Sequence, residues 1–116
     1  MCSSDLVADV DPERARRLAA SAGARASERW EDIVDADDVD IVIVSTPNKF
    51  LAPVGTRAAA AGKHVLCEKP LARCAAEASA LIDQARRAGV KIKTGFNHRH
   101  HPAIARAHAL DRKSVV

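Results

Sequence analysis

The chain has 116 residues, which is enough for one small domain and too few for two of ordinary size. Hydrophobic residues make up 47% and charged residues 28%, as in an ordinary globular protein, and an aromatic content of 3% without tyrosine argues against a base-stacking surface for nucleic acid. The net charge of +3 does not indicate an anionic partner, because basic and acidic residues alternate along most of the chain.

Strand-like and helical segments alternate along the sequence. In chain order they are a strand at 6–9, a helix at 12–22, a short helix at 28–34, a strand at 39–45, a helix at 50–61, a strand at 65–67, a helix at 75–88, a strand at 90–95 and a helix from Pro102. Asp11 and Pro12 are typical of a helix start, and Gly62 and Gly89 of helix ends. The continuous β-branched run at 39–45 predicts a strand that is buried on both faces.

This alternation predicts the α/β fold class, with βαβ units that build a doubly wound parallel sheet with flanking helices. Ligands of such sheets bind at the carboxyl ends of the strands, so polar residues directly after strands are candidate site residues. Four segments meet this condition: Asp9 in "LVADVDPERAR", "STPN" at 45–48, "HVLCEKPLA" at 64–72 and "GFNHRHHP" at 95–102.

The sequence also bears on compartment and on cysteine chemistry. It contains no apolar run near the ~20 residues that cross a bilayer and no secretory apolar segment at its start, so we expect no membrane association and a cytoplasmic location. Three cysteines without a Cys-x-x-Cys spacing predict neither a disulfide framework nor a zinc knuckle. Cys67 is expected to be a small buried residue on a strand.

Together, the four strand-end segments resemble the glucose–fructose oxidoreductase, inositol dehydrogenase and MocA (Gfo/Idh/MocA) family of NAD(P)-dependent oxidoreductases. The resemblance runs from Leu6 to Leu110, and "GKHVLCEKPLA" is its most specific part, because Glu-Lys-Pro behind a strand is the family hallmark. It implies a partial Rossmann-type domain that binds NAD or NADP as its cofactor.

The resemblance assigns cofactor contacts to several residues of this sequence. Asp9 would contact the adenosine ribose, which favours NAD over NADP. Thr46, Pro47 and Asn48 would line the cofactor near its nicotinamide. Glu68 would help to fix the cofactor or the neighbouring lysine, and Pro70 would fix the backbone behind it, after a peptide bond that is often cis in the family.

The resemblance makes Lys69 the catalytic residue. Lys69 would polarise the substrate hydroxyl and assist proton transfer while hydride moves to the nicotinamide. Lysine suits this role, because a desolvated lysine loses its proton readily and a charged one stabilises a developing alkoxide. Asn97 and Arg99 would face the substrate.

Two of three departures from the family pattern indicate a fragment. The Gly-x-Gly-x-x-Gly turn, which should precede Asp9 by roughly 20 residues, is absent, and so is the catalytic histidine of the second, substrate-binding domain. The histidine that often follows the Thr-Pro-Asn stretch is also missing from "NKFLAP". Residues 6–110 are therefore expected to be an internal part of the nucleotide-binding domain of a longer parent protein, without its first strand.

The two ends of the chain carry a separate signal. Codons for "CSSDL" can contain GCTCTTCCGATCT, and codons for "DRKSVV" can contain its reverse complement, a pair that resembles a sequencing adapter. Residues 1–5 and 111–116 are therefore predicted to be non-native ends.

Each sharp interpretation has a plainer alternative. Without the resemblance, Lys69 is a solvated lysine at a strand end and Asp9 is a turn residue before a helix. The cluster "HRHH" at 98–101 invites a metal site, but no cysteine or carboxylate nearby completes a tetrahedral set, so no metal ligands are predicted.

These residues lead to a functional expectation for the parent protein. It is an oxidoreductase that transfers a hydride between NAD(P) and a hydroxyl of a sugar, cyclitol or related polyol, and relatives form homo-oligomers through the second domain. Two alternatives stay open: a relative that uses bound NAD for another reaction such as glycoside cleavage, and a small metal- or anion-binding module. The 116-residue chain by itself is expected to be inactive and prone to aggregation, because its sheet lacks a central strand.

Overall fold

The computed structural model describes residues 5–114, and it has an α/β fold with parallel strands, as expected. In chain order its elements are β1 Leu6–Ala8, α1 Pro12–Ala22, β2 Arg25–Ser27, α2 Glu31–Asp35, β3 Ile41–Val44, α3 Asn48–Ala60, β4 His64–Cys67, α4 Ala75–Ala88, β5 Ile92–Thr94, a 3₁₀ helix Asn97–His100 and α5 Pro102–Ser114. The strand β2 and the 3₁₀ helix were not predicted from the sequence. Much of the two predicted non-native ends, including residues 1–4, 115 and 116, lies outside the described residues.

The described strands form two parallel sheets. One has the order β1-β2, with Leu6 opposite Arg25, and the other has the order β3-β4-β5. In the larger sheet Ile41 lies opposite His64 and Val65 opposite Ile92. Each strand is joined to the next by a helical connection, which is the arrangement that parallel pairing requires.

Helix α1 begins and ends at residues that suit these positions. The Asp11 carboxylate accepts hydrogen bonds from the backbone N–H groups of Glu13 and Arg14, at 3.0 and 3.3 Å. Gly23 ends the helix with φ of +67°, a left-handed conformation that glycine adopts at low cost. Helix α3 begins two residues earlier than predicted, so Pro53 lies beyond its first turn and leaves one carbonyl without its helical N–H partner.

The core of the larger sheet lies on one face, under α3 and α4. Val42 and Val44 of β3 are buried there together with Val65 and Cys67 of β4. Gly55 of α3 allows the two helices to approach closely; a Cβ atom at this position would lie 3.3 Å from Cδ2 of Leu81 in α4.

The prediction that residues 39–45 are buried on both faces is wrong for this structure. Ile41 is 61% exposed and Ile43 is 68% exposed, because α3 and α4 cover only the opposite face of β3. The edge of β3 is also unpaired within residues 5–114. The carbonyls of Asp40 and Val44 accept hydrogen bonds from the side of β4. In a parallel ladder the backbone N–H and C=O groups of successive residues point to alternate sides of the strand, so those of Ile41 and Ile43 point away from β4.

The free edge of β1 lines the same space as the free edge of β3. The carbonyl of Asp5 accepts a hydrogen bond from the N–H of Arg25 in β2. Because the backbone groups of successive residues alternate between the two sides of a strand, those of Leu6 point to the other side of β1. A groove of about 520 Å³ lies between the two edges, and its lining includes Leu6, Ile33, Val39 and residues 41–43 of β3. We call this space the inter-sheet groove.

Within residues 5–114, no helix is both long enough and apolar enough to cross a membrane.

Candidate active site

The carboxyl ends of β3, β4 and β5 are joined by two hydrogen bonds. The N–H of Glu68, directly after β4, donates to the carbonyl of Val44 at 2.9 Å, and the N–H of Gly95, directly after β5, donates to the carbonyl of Cys67 at 2.9 Å. These bonds bring the segments after the three strands to one edge of the sheet. Thr46–Asn48, Glu68–Pro70 and Asn97–Arg99 therefore begin from neighbouring positions.

The segment after β4 turns sharply and presents a lysine. The Lys69–Pro70 peptide bond is cis, as the resemblance implies. One carboxylate oxygen of Glu68, Oε2, accepts a hydrogen bond from the backbone N–H of Lys69 at 3.1 Å. Lys69 itself is exposed, so its ammonium group is free to meet a ligand at the sheet edge.

A glycine that the sequence analysis did not single out lies against this turn. A Cβ atom at Gly95 would lie 3.3 Å from Oε1 of Glu68 and 3.4 Å from Cδ and Oε2. The only sequence signal for this contact is a glycine directly after a strand, which does not by itself identify the neighbour.

The far end of this loop is held at the start of α4. The Arg73 guanidinium hydrogen-bonds to the carboxylate of Glu77, and the backbone N–H of Arg73 donates to the same carboxylate at 3.1 Å. These bonds lower the pKa of Glu77 and hold it as a charged cap in the first turn. The loop from Glu68 to Cys74 is therefore anchored at both ends.

The segment after β3 contains an unusual polar group. The Thr46 Oγ1 atom is buried and has no hydrogen-bond partner among the described residues. A buried hydroxyl without a partner is unfavourable, so this position fits a polar ligand that supplies the missing bond. Pro47 is extended at φ −54° and ψ 148°, and Asn48 begins α3.

The segment after β5 is the exposed 3₁₀ helix, which carries Asn97 and Arg99. Hydrogen bonds within the backbone hold it, such as the one from the N–H of Asn97 to the carbonyl of Gly95 at 3.0 Å. In the part of the chain that the structure describes, no three His, Cys, Asp or Glu side chains are grouped to hold a metal ion, His98 and His100 included.

Asp9 belongs to the other sheet, where it follows β1. Its Oδ1 accepts a hydrogen bond from the backbone N–H of Asp11 at 2.9 Å, and its Oδ2 lies 3.5 Å from the Arg14 guanidinium. The side chain is 26% exposed and its carboxylate keeps further acceptor positions, as contact with a ribose requires.

Cys67 should be far less reactive than Cys74. Burial raises the pKa of the Cys67 thiol and the negative charge of Glu68 adds to this effect, whereas Cys74 is exposed. In the native full-length parent, we expect iodoacetamide at pH 8 to modify Cys67 on the order of 100-fold more slowly than Cys74, measured by peptide mass spectrometry. Guanidinium-unfolded protein is the control, where both should react alike; equal rates in the native protein would contradict the structure.

A parallel α/β sheet with polar segments and a lysine at the carboxyl ends of its strands is typical of nucleotide-binding domains of the Rossmann class. The family model GFO/IDH/MocA, which describes an oxidoreductase family with an NAD-binding Rossmann fold, matches residues 3–96. The chain belongs to this family.

Characterised relatives support the same assignment. Levoglucosan dehydrogenase from Pseudarthrobacter phenanthrenivorans is 37% identical over 103 residues, which is 88% of this chain and 26% of that protein. A levoglucosan dehydrogenase structure in complex with NADH and levoglucosan aligns with a TM-score of 0.79 at 36% identity, over 88% of this chain and 28% of that one. A 3-ketoreductase from Actinomadura kijaniata, in complex with NADP, aligns with a TM-score of 0.84 at 32% identity, over 96% of this chain and 34% of that one. The chain thus spans about a quarter to a third of these relatives.

Proposed function

We propose that the parent protein transfers a hydride between NAD(P) and a hydroxyl group of a sugar, cyclitol or related polyol. The observation that carries this proposal is the hydrogen-bonded edge at which Glu68 and Gly95 join the ends of β3, β4 and β5. Relatives that act on or bind sugar derivatives support the substrate class.

The residues at this edge fit the cofactor. Thr46 offers a buried hydroxyl that lacks a partner, and Pro47 and Asn48 continue from it. Asp9 accepts hydrogen bonds from the adenosine ribose, and its negative charge disfavours the additional phosphate of NADP. The bound nicotinamide supplies the group that accepts or returns the hydride.

The chain's own residues handle the proton. Lys69 hydrogen-bonds to the reacting oxygen of the substrate, holds it and exchanges a proton with it. Glu68 holds the Lys69 backbone through the bond to its N–H, and Pro70 fixes the chain behind it. Asn97 and Arg99 bind other hydroxyl groups of the substrate.

We also propose that residues 6–110 are part of a larger nucleotide-binding domain, and that the inter-sheet groove receives one further parallel strand of the parent polypeptide. The free edges of β1 and β3 and the apolar residues of the groove support this placement, and about three quarters of the levoglucosan dehydrogenase has no counterpart here. The glycine-rich turn and the substrate-binding domain belong to the same remainder. The parent is a cytoplasmic homo-oligomer in this proposal, and residues 1–5 and 111–116 are not native to it.

The test uses the full-length parent, recovered from the source DNA. NADH and NADPH absorbance are followed with a panel of sugars and polyols, and we expect turnover with at least one of them and a higher kcat/KM with NAD than with NADP. Conversion of a glycoside without net change in NADH would favour a relative that uses the cofactor transiently. No activity and no NADH binding would contradict the proposal.

A further inference from the structure

We propose that Gly95 is a positioning residue of the active site: the absence of a side chain at this position sets where the Glu68 carboxylate lies, and through it the backbone of Lys69. This inference rests on the proposed function, because the role of Lys69 gives the position of Glu68 its importance. It adds to that function a residue that acts through Glu68.

The backbone conformation of Gly95 does not explain the glycine. In the described chain the glycines with positive φ are Gly23, Gly62 and Gly89, and Gly95 does not have such a φ. Its φ therefore lies outside the left-handed region that side chains avoid, and the constraint that the structure shows at this position is one of space.

The space at Gly95 is taken by one functional group. A Cβ atom there would lie 3.3 Å from Oε1, 3.4 Å from Cδ and 3.4 Å from Oε2 of Glu68. The near-equal distances mean that the whole carboxylate lies against the glycine. The 3.3 Å approach to Oε1 is tighter than an ordinary van der Waals contact, and the two distances of 3.4 Å are at the lower limit of ordinary contact. An added methyl group therefore requires the carboxylate to move by a few tenths of an ångström.

The backbone of Gly95 is held by a hydrogen bond of its own. Its N–H donates to the carbonyl of Cys67 at 2.9 Å, so a shift of the backbone would break a hydrogen bond between β4 and β5. The exposed Glu68 side chain can rotate, and it is the group that yields.

Rotation of Glu68 has a direct consequence for the lysine. Its Oε2 accepts the hydrogen bond from the Lys69 N–H, and a displaced carboxylate weakens this bond and moves its negative charge relative to the Lys69 side chain. Because a misplacement of about 1 Å can cost about 100-fold in rate, a shift of a few tenths of an ångström should lower kcat by about 3- to 10-fold.

The experiment is a double-mutant cycle in the full-length parent, with Gly95→Ala, Glu68→Ala and the double variant. We expect Gly95→Ala to lower kcat by about 3- to 10-fold and Gly95→Val by about 100-fold. In the Glu68→Ala background, Gly95→Ala should change kcat less than about 2-fold, because the group that it displaces is gone. The NADH dissociation constant, from fluorescence titration, is measured for every variant and should follow the same non-additive pattern if Glu68 also contacts the cofactor.

Gly55→Ala is the matched control. Its Cβ atom would also lie 3.3 Å from a neighbouring side-chain atom, Cδ2 of Leu81, but between α3 and α4, away from the sheet edge. This variant should change the thermal midpoint and leave kcat within about 2-fold. It separates crowding in general from crowding of Glu68.

The outcomes distinguish this inference from the proposed function. Suppose that the parent is active and depends on Lys69. The positioning role is then overturned if Gly95→Ala leaves kcat unchanged, or if it lowers kcat equally in the Glu68→Ala background. If the parent binds NADH but shows no turnover, the proposed function fails. A change of the dissociation constant by Gly95→Ala that disappears in the Glu68→Ala background then supports the action of Gly95 through Glu68, and a change that persists there, or no change at all, overturns it. Circular dichroism of each variant identifies any loss of fold. If Gly95→Val unfolds the protein, Gly95→Ala, which adds only one methyl group, still gives the answer.

Discussion

Lys69→Ala in the full-length parent should lower kcat by about 10²- to 10⁴-fold and leave the NADH dissociation constant within about 3-fold. The magnitude is that of a general acid–base residue, whose loss leaves the cofactor and the substrate bound but removes the proton transfer. Stopped-flow absorbance of NADH gives the rate and fluorescence titration gives the binding constant. The split between the two measurements assigns Lys69 to chemistry and not to cofactor binding.

Two further variants sharpen this result. Lys69→Arg keeps a positive charge but scarcely gives up its proton, so it should be nearly as inactive as Lys69→Ala if proton transfer matters, and partly active if charge alone suffices. Lys91→Ala is the matched control. Lys91 is also exposed, but it directly precedes β5 and so lies at the amino-terminal ends of the strands, away from the site. Activity that is indifferent to Lys69→Ala would make the Glu-Lys-Pro turn a structural feature of the strand end.

Ile43→Lys should have opposite effects in the parent and in the isolated 116-residue chain. In the chain, Ile43 is 68% exposed on an unpaired edge strand, so a lysine there should hinder edge-to-edge association and increase the soluble fraction. If further chain of the parent fills the inter-sheet groove, as proposed, the same lysine is buried there without a partner, and the free energy of unfolding should fall by about 3–5 kcal/mol.

The comparison uses denaturant unfolding of the parent and light scattering of the isolated chain. Val42→Lys is the control, because Val42 is buried under α3 and α4 and should be destabilising in both settings. If Ile43→Lys leaves the stability of the parent unchanged, the groove stays open there, and the proposal of a further strand is wrong. A cooperative thermal transition of the isolated chain as a monomer would contradict the expected instability.

Prediction and structure agree best for elements whose bounds are set by residues close together in sequence. The bounds of α1 and α4 were predicted to the residue, because an Asp-Pro start, a helical apolar spacing and glycine ends act within a few residues of each other. β2 was missed because Arg25–Ser27 contains no β-branched or aromatic residue; its pairing with β1 makes it a strand.

The site residues were predicted by resemblance, and several of their contacts follow from the tertiary structure alone. The order of the strand-end segments along the sequence is a local property, and it was enough to identify the family. The contact of Glu68 with Gly95 joins residues far apart in sequence, and so does the hydrogen bond from Gly95 to Cys67. Such contacts depend on strand register, which a short segment of sequence does not specify.

The sequence by itself thus determined the alternation of helices and strands, the residues at the strand ends and the family to which they belong. The tertiary structure decided which face of β3 is covered, that the buried hydroxyl of Thr46 has no partner within residues 5–114, and that β1 and β3 face one another across a groove. The physical reason is that helix caps and hydrophobic periodicity act between near neighbours in sequence, whereas burial and strand pairing depend on which distant segments are present to pack.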